Sequence, residues 1–369
     1  MNKKLIVYVI GAVIVAFVVG AILGSQISPE KEELTPSSSE NKESPSAPPE
    51  KEESPQTISR NMSWSLVWEY KSDYKIKDIA ISPDGNYIVA VGDNYDSGRN
   101  DVLYLLTKDG KVLWKRESKE LFNSSVGDWI HDVSVSRNAT YIAVGSENAI
   151  YLLQRDGSII WKRENYTYLK GMNLVSISGD GQYIVVGTYP IGEGWIHLFN
   201  KDGEELWKFR ALGSVTCVSI CENEKYVVAG DNKGYVYLFN RQGNLLFDKK
   251  MGRYSFHGVY VSISQNGSRI GVGMNIYYES DRIAILDSDG RSLLDQKVKH
   301  IVVGISMTSE ADLLFVPAEK EGLRIYNMKG ELINTFKARE RVLDAANTPD
   351  GTYLVVGSDD MRIYLLEKS

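Results

Sequence analysis

The side chains with the clearest chemical potential are three aspartates, Asp78, Asp132 and Asp344, which occupy the same position of a repeated apolar segment. Carboxylate oxygens are the ligands that Ca²⁺ prefers in proteins. If the three segments lie side by side, the aspartates predict a cation site. The alternative is that local hydrogen bonds hold the carboxylates apart. Calcium is the only cofactor that these residues suggest.

The other reactive residue types form no recognisable catalytic constellation. The four histidines stand alone in different repeats: His131, His197, His257 and His300. Cys217 and Cys221 lie four residues apart in one predicted strand, about 13 Å at the usual rise. A disulfide needs Cα atoms within about 7 Å, so we predict two separate thiols. The chain also lacks a nucleophile elbow and a phosphate-binding loop, and we predict that it is not an enzyme.

These residues are embedded in a repeat that returns about every 43 residues from position 76 to the end of the sequence. Each repeat is predicted to hold four short strands, which in the first repeat are 76–81, 86–92, 102–106 and 111–115. A period of about 40–45 residues is typical of a β-propeller blade. One blade cannot bury both of its faces, so neighbours must stack around an axis. The predicted fold class is all-β, a seven-bladed β-propeller.

The first and last segments of the repeat region predict how the ring closes. The last repeat ends one strand short, at Ser369, and the segment Ser65–Tyr70 resembles the outer strand Lys111–Arg116 of the first repeat. We therefore predict that the N-terminal strand completes the seventh blade. Closure in this way removes the sheet edges that an open propeller would expose.

Two sequence motifs resemble known repeat families. The turn Ser82-Pro83-Asp84-Gly85 after an apolar strand is similar to WD40-type repeats, and endings such as Gly110-Lys111-Val112-Leu113-Trp114 resemble the tryptophan-docking repeats of PQQ-like propellers. The resemblance covers residues 64–369 and implies a fold rather than a ligand. The docking Trp is replaced by Phe247, Leu294 and Asn334 in later repeats. The residues expected of quinoprotein dehydrogenases are not recognisable. A PQQ-type oxidoreductase is therefore the less favoured function that the resemblance implies.

The N-terminal residues predict that the propeller lies outside the cytoplasm. After Lys3 and Lys4, the residues 5–24 carry no charge and are long enough to span about 30 Å of hydrocarbon as a helix. Lysines before this segment and glutamates after it place the N-terminus inside the cell. We predict a transmembrane signal anchor over 1–24 and a single-pass membrane protein with an extracytoplasmic propeller. The alternative is a cleaved signal and a secreted protein.

Residues 25–60 are predicted to be a disordered linker, because they are rich in Pro, Ser and Glu and contain almost no large apolar residues. A chain of this length spans about 35 Å. The propeller domain is then 61–369. Five Asn-x-Ser/Thr sequons predict a glycoprotein: Asn61, Asn123, Asn138, Asn165 and Asn266.

Long connections between strands are predicted to emerge at one end of the propeller, opposite short Asp-Gly turns. A rigid scaffold commonly carries its binding residues on such loops. Aromatic side chains offer large, stiff contact area, and the alternative is that they pack as loop cores. The predicted binding residues on this long-loop face are Trp129, Trp195, Tyr189, Tyr254, Tyr277 and Tyr278.

Together these patterns predict a membrane-tethered, extracytoplasmic propeller that acts as a protein-interaction scaffold through its long-loop face. The alternative function is a lectin-like or small-ligand-binding sensor on the same face. The expected partners are an unidentified protein or glycan and the membrane through residues 5–24. With a net charge of −6 and no basic stripe, a nucleic-acid partner is not expected.

Overall fold

The structure, a computed structural model, describes residues 62–93, 99–123, 127–164, 172–189, 194–252, 258–276 and 280–369. These residues form seven four-stranded antiparallel sheets and one two-stranded parallel pair. The predicted all-β, seven-bladed propeller is therefore confirmed.

The first half of the chain contains these elements in order: β1 (Trp64–Lys71), β2 (Lys75–Ile81), β3 (Tyr87–Asp93), β4 (Arg99–Asn100), β5 (Val102–Thr107), β6 (Val112–Glu117), α1 (Ser118–Leu121), β7 (Gly127–Asp128), β8 (Ile130–Val135), a 3-10 turn (Arg137–Ala139), β9 (Tyr141–Ser146), β10 (Ala149–Gln154), β11 (Ile159–Glu164), β12 (Met172–Ile177), β13 (Tyr183–Tyr189), β14 (Trp195–Asn200) and β15 (Glu205–Arg210).

The second half continues in the same pattern: β16 (Val215–Ile220), β17 (Tyr226–Asp231), β18 (Tyr235–Asn240), β19 (Leu245–Lys250), β20 (Gly258–Ile263), β21 (Arg269–Asn275), β22 (Arg282–Asp287), β23 (Ser292–Lys297), β24 (Ser306–Met307), β25 (Leu313–Ala318), β26 (Gly322–Asn327), β27 (Leu332–Phe336), β28 (Val342–Asn347), β29 (Tyr353–Ser358) and β30 (Arg362–Lys368).

Each blade is a meander that runs from an inner strand to an outer one. Blade 1 is β2-β3-β5-β6, blade 2 is β8-β9-β10-β11, and the later blades repeat this order up to blade 7, β28-β29-β30-β1. The short pair β4-β7 joins two long connections, one within blade 1 and one that leads into blade 2.

The hydrophobic core lies between adjacent blades rather than within one. One cluster packs Val89 and Leu105 of blade 1 against Val133 and Val144 of blade 2, and all four are buried. Because the two middle strands of a blade are covered on both faces, their sequences are continuous apolar runs, as in Val102–Thr107. This packing on both faces is why the middle strands do not alternate apolar and polar residues.

Strand β1 closes the ring as predicted. It pairs antiparallel with β30 from Trp64 opposite Lys368 to Lys71 opposite Arg362. The indole Nε1 of Trp68 then donates to the carbonyl oxygen of Lys108 in blade 1, at 2.7 Å. The N-terminal strand therefore completes blade 7 and also joins that blade to blade 1.

The tryptophans of the outer strands dock on the next blade. Trp114, Trp161 and Trp207 each donate Nε1–H to a carbonyl oxygen in the turn between the last two strands of the following blade, at 2.7, 2.9 and 2.9 Å. Gly203 shows why that turn needs glycine: its φ is +80°, and a Cβ there would lie 3.2 Å from Trp161. The Asp-Gly turn and the Trp are therefore complementary parts of one contact.

The turns between the first two strands share a hydroxyl that accepts a backbone N–H five residues later. Ser82 accepts from Tyr87 and Ser178 from Tyr183, both at 3.0 Å. In blade 4 the sulfur of Cys221 takes this place and accepts from Tyr226 at 3.1 Å. Cys221 therefore lies in a turn, which corrects its predicted place in one strand with Cys217. Both thiols are free, as predicted.

The connections on the long-loop face vary in length. In blades 2, 4, 6 and 7 the second and third strands are joined by only 147–148, 232–234, 319–321 and 359–361. The longer connections lie within or after blades 1–5, as in 118–129 and 298–305. Blade 6 is irregular in another way, since its inner strand is only Ser306–Met307, opposite a strand that contains Pro317, which has no N–H for a ladder bond.

Several predicted features lie outside the described residues. They include the apolar segment 5–24, the linker 25–60 and two of the sequons, Asn61 and Asn165. Of the helices that the structure does describe, none is both long and apolar enough to span a bilayer. The other three sequons, at Asn123, Asn138 and Asn266, are exposed.

Candidate functional site

The three predicted aspartates come together at the centre of the propeller. Each is the fourth residue before the Ser or Thr that opens the first turn of its blade, on a strand that faces the axis. At the same position the other blades carry Leu174, Cys217, Tyr260 and Gly304. Since blades 7, 1 and 2 are neighbours in the closed ring, one side of the channel is acidic and the other is not.

Each carboxylate is bound to the backbone of the next blade. Asp344 accepts from the N–H of Ile79 at 3.1 Å, Asp78 from Val133 at 2.7 Å, and Asp132 from Val175 at 2.8 Å. The three aspartates therefore join blades 7, 1, 2 and 3 in series. These hydrogen bonds do not hold the carboxylates apart, because Asp78 is also hydrogen-bonded to Asp344 and to Asp132.

Burial raises the pKa of all three carboxyls. The pKa of Asp78 is raised to about 6, mainly by burial and against its hydrogen bonds to Asp344 and Val133. The pKa values of Asp132 and Asp344 are raised well above the ordinary value, first by burial and then by the negative charge of Asp78. Protons are therefore retained in this cluster at a pH where exposed aspartates are ionised.

A cation site at these aspartates finds no further support in the geometry. Across residues 62–93, 99–123, 127–164 and the later described ranges, no group of three or more His, Cys, Asp or Glu side chains is arranged to hold a metal ion. The calcium prediction rests on the sequence pattern alone. The hydrogen bonds just described give the aspartates a structural role that needs no ion.

Three further polar residues near the aspartates, Cys217, His131 and Lys77, are neutral or paired. Burial raises the pKa of the Cys217 thiol to about 12, and that thiol donates to the carbonyl oxygen of Val261 at 3.4 Å. Burial, with the nearby Lys77 ammonium, lowers the pKa of His131 to about 3. Lys77 itself is held by Asp101, with its Nζ 2.6 Å from Oδ2. These contacts hold the channel lining in place.

The predicted aromatic residues are not brought together by any contact that we find within the described ranges. Trp129 precedes β8 and is half-buried, and its carbonyl oxygen accepts the N–H of Glu147 at 2.9 Å. Tyr189 ends β13 and is also half-buried. Tyr254, Tyr277 and Tyr278 lie outside the described residues.

Trp195 is placed by a column of rings at the interface of blades 2 and 3. It begins β14, and its ring centroid lies 6.4 Å from that of His197, which stacks on Phe199 at 5.9 Å. The docked Trp161 of blade 2 lies 6.2 Å from Phe199. The ammonium of Lys208 is 5.8 Å from the Trp195 centroid, a cation–π contact. Trp195 thus has one packed face and a charged neighbour.

A charged network on the long-loop face was missed by the sequence reasoning. Arg341 in the connection to blade 7 binds Glu319 at 2.6 Å and Asp359 at 2.5 Å, and Lys75 of blade 1 binds Asp359 at 3.1 Å. The four residues come from blades 6, 7 and 1. No spacing in the sequence relates them, because the ring closure alone brings blade 1 beside blade 7.

Comparison with known protein families agrees with the repeat motifs. Residues 61–208 match the family model described as outer membrane protein assembly factor BamB. Residues 330–366 match the WD domain, G-beta repeat. The resemblance is confirmed. The two matches fall at opposite ends of the repeat region in sequence. The first contains the docking residues Trp114, Trp161 and Trp207, and the second has Asn334 at the corresponding position. No curated protein sequence matches the chain.

Proposed function

We propose that this protein is a membrane-tethered, extracytoplasmic propeller that binds a protein partner through its long-loop face. A seven-bladed propeller with WD40-like and PQQ-like repeats is consistent with an interaction scaffold. The matching family is described as an assembly factor, a role that also depends on contacts with other proteins.

The observation that carries the proposal is where the polypeptide enters the propeller. Trp64 begins β1 and donates its Nε1–H to the carbonyl oxygen of Gly351, at 3.1 Å, in a short turn of blade 7. Ser369 donates its N–H to Ser63 at 2.9 Å on the same side. The described part of the chain therefore enters the propeller at the short-turn face, where the chain terminus Ser369 also lies. The long-loop face is at the opposite end of the strands and is left clear of both.

The composition of the two faces also supports the long-loop face as the binding surface. The short-turn face consists of tight turns, several of whose polar groups are used in contacts within the propeller, as in the Trp docking contacts and the Ser82 and Ser178 turns. The long-loop face carries Trp129 and Trp195, both half-buried. Amphipathic aromatic side chains of this kind are enriched among the residues that dominate binding energy.

The proposal is tested by pull-down from solubilised membranes with the full chain and with the variants Trp129→Ala and Trp195→Ala. We expect each variant to lose partner binding by about 1 kcal/mol or more while its melting temperature stays near that of the parent. The matched controls are Lys108→Ala and Lys201→Ala, on short turns, because Trp68 and Trp161 use only the backbone carbonyls of these lysines.

Loss of binding in the lysine controls, with both tryptophan variants unaffected, would show that the short-turn face is the binding surface. A lower melting temperature with unchanged affinity would show instead that the tryptophans only pack loops. The second candidate, a lectin-like sensor, is favoured by Trp195, whose ring has a lysine beside it. It predicts that a glycan released from the same membranes competes with the captured partner.

A further inference from the structure

The first turn of every blade has one position that carries an acidic residue or an asparagine. In blades 2 and 5 this residue is Asn138 or Asn266, and each begins an Asn-x-Ser/Thr sequon that ends at Thr140 or Ser268. Both asparagines are exposed on the short-turn face. The other five blades have Asp84, Asp180, Asn223, Glu310 and Asp350 there. The two sequons therefore occupy equivalent places in the fold.

The side chains of these two asparagines differ in whether their own turn uses them. The side-chain oxygen of Asn266 accepts the N–H of Ser268 at 2.9 Å and the hydroxyl of Ser264 at 3.1 Å. Asn138 instead lies in a 3-10 turn with a φ of 56°, a left-handed conformation in which asparagine is enriched. We find no hydrogen bond between its side-chain amide and any described residue. Asn138 is therefore the sequon asparagine whose exposed amide is not used by its turn.

The backbone of Asn138 is held by blade 1 as well as by its own blade. Its N–H donates to Oδ1 of Asp84 at 3.1 Å, and its carbonyl oxygen accepts from Nε of Arg155 at 2.9 Å. The guanidinium of Arg155 lies over the ring of Tyr87, 4.8 Å from the centroid. The free amide is therefore presented from a turn whose position is fixed by its neighbours.

An open groove between blades 1 and 2 begins at this sequon. It has a volume of about 450 Å³ and is lined by Leu113, Trp114, Thr140, Gln154, Arg155 and Asp156. Thr140 belongs to the sequon, and Arg155 joins the groove to Asn138 through the hydrogen bond just described. The indole Nε1 of Trp114 donates to the carbonyl oxygen of Arg155 at 2.7 Å, which fixes the ring in the groove.

The groove combines an apolar surface with polar groups at its edge. Leu113 is exposed and Trp114 is half-buried, while Gln154, Arg155 and Asp156 are exposed. A sugar ring has C–H groups on its faces and hydroxyls around its rim, so it can pack on an indole and still form hydrogen bonds with polar side chains. An open groove holds a free sugar weakly, but a covalent link at Asn138 keeps the sugar beside it at a high effective concentration.

We propose that Asn138 carries an N-linked glycan whose first sugar residues lie in this groove against Leu113 and Trp114. The donor is a lipid-linked oligosaccharide. The bond between its anomeric carbon and the lipid phosphate breaks, a bond forms between that carbon and Nδ2 of Asn138, Nδ2 loses a proton, and the lipid phosphate leaves. This site rests on the extracytoplasmic location proposed above. A glycan here covers part of the short-turn face and leaves the long-loop face open to a partner.

The modification is tested by glycopeptide mass spectrometry of the full chain, purified from the membranes of the cells that produce it. We expect a glycan on the peptide that contains Asn138, its loss in Thr140→Ala and its retention in Thr140→Ser, because the sequon requires a hydroxyl two residues after the asparagine. The matched control Asn266→Gln should leave this glycan unchanged. The proposal is wrong if Asn138 is unmodified, or is occupied in a smaller fraction of molecules than Asn266.

The location is tested separately by a membrane-impermeant amine label added to intact cells. A labelled propeller with an unmodified Asn138 would overturn this proposal alone. An unlabelled propeller would overturn the extracytoplasmic location as well.

The place of the sugar is tested by melting temperatures in a chain whose other four sequon asparagines are changed to Gln, made with and without glycosylation. We expect glycosylation to raise the melting temperature, and Leu113→Ala to reduce this gain by half or more. Leu206→Ala is the matched control and should keep the full gain. Leu206 is exposed and precedes Trp207 in blade 3 as Leu113 precedes Trp114, but the adjacent turn of blade 4, with Asn223, holds no sequon. No gain on glycosylation, or an equal reduction in both variants, would show that the sugar does not lie in the groove.

Discussion

At the scale of single residues, a small set of repeated side chains makes the contacts between blades. Each contact combines a packed ring and a hydrogen bond, and the two parts are not equally retained from blade to blade. Trp161 donates to Lys201 and its ring lies under Gly203. In blade 4, Phe247 lies under Gly290 in the same way, 3.1 Å from the position of an added Cβ, but it has no N–H to donate. The ring contact is therefore retained in a blade where the hydrogen bond is lost.

This comparison predicts the result of two substitutions at Trp161. Trp161→Phe should lower the free energy of unfolding by about 1 kcal/mol, the net contribution of one hydrogen bond. Trp161→Ala should lower it by about 2–3 kcal/mol, because it also removes the apolar contact of a half-buried ring. Denaturant unfolding of both variants measures the difference. Equal losses in the two variants would contradict the separate role of the ring.

The channel aspartates predict an unusual pH dependence. Their pKa values are raised in the folded state, to about 6 for Asp78 and above the ordinary value for Asp132 and Asp344. The folded protein therefore binds protons more tightly than the unfolded chain does. For these groups, stability is lowest above the folded pKa values and increases as the pH falls through them towards about 4, the pKa of an unfolded aspartate.

Asp344→Asn should reproduce the effect of protonation, since an amide oxygen can still accept from Ile79 while the charge is removed. We expect a higher melting temperature than that of the parent at pH 7.5 and no gain at pH 4.5. The control is Asp350→Asn on a short turn. Burial opposes its ionisation, but hydrogen bonds from Thr352 and Thr348 outweigh burial and lower the pKa of Asp350. That variant should be less stable at pH 7.5, and a gain there would undermine the argument.

At the scale of secondary-structure elements, strand β1 matters most for closing the ring. It is also the strand that lies farthest in sequence from the sheet that it completes. Strand β1 pairs with β30 at the other end of the chain, and it provides the Trp68 that docks on blade 1. Arg339 and Arg362 add ion pairs to Glu69 of this strand. Arg339 is exposed and Arg362 is half-buried, and ion pairs at the surface contribute little beside the backbone ladder and the indole.

Deletion of residues 61–70 should therefore abolish cooperative unfolding, because it opens the ring and exposes the edge of β30. Deletion of residues 1–60 should leave the melting temperature unchanged. Calorimetry of the two truncated proteins makes the comparison. If both melt like the parent, the N-terminal strand does not close the propeller in solution.

At the scale of the whole molecule, the two faces differ because the meander places two kinds of connection at opposite ends. The short turns are constrained by the glycine and hydroxyl contacts that dock each blade on the next. The connections on the other face take no part in these contacts, and they differ in length from blade to blade. Where blades 6, 7 and 1 meet, this face carries the charged network around Arg341.

The tether is tested directly on the full chain. After membrane fractionation and carbonate extraction, we expect the protein in the pellet, because residues 5–24 are apolar and uncharged and long enough to span a bilayer. A deletion of residues 1–24 serves as the control and should be soluble. A soluble mature protein that begins near Ser25 would show that the segment is a cleaved signal.

The sequence by itself determined the blade count, the order of the strands and the closure by β1. These features depend on local signals: apolar runs set the strands, Asp-Gly sets the turns, and a strand missing at one end reappears at the other. It also placed Asp78, Asp132 and Asp344 together, because a closed ring makes the first and last blades neighbours.

Only the tertiary structure decided what these side chains contact. The aspartates bind backbone N–H groups of the adjacent blade, Cys221 replaces a turn hydroxyl, and the Arg341 network joins three blades. Such contacts depend on side chains that meet across blades, where the distance between them is set by packing of the ring and not by spacing along the chain.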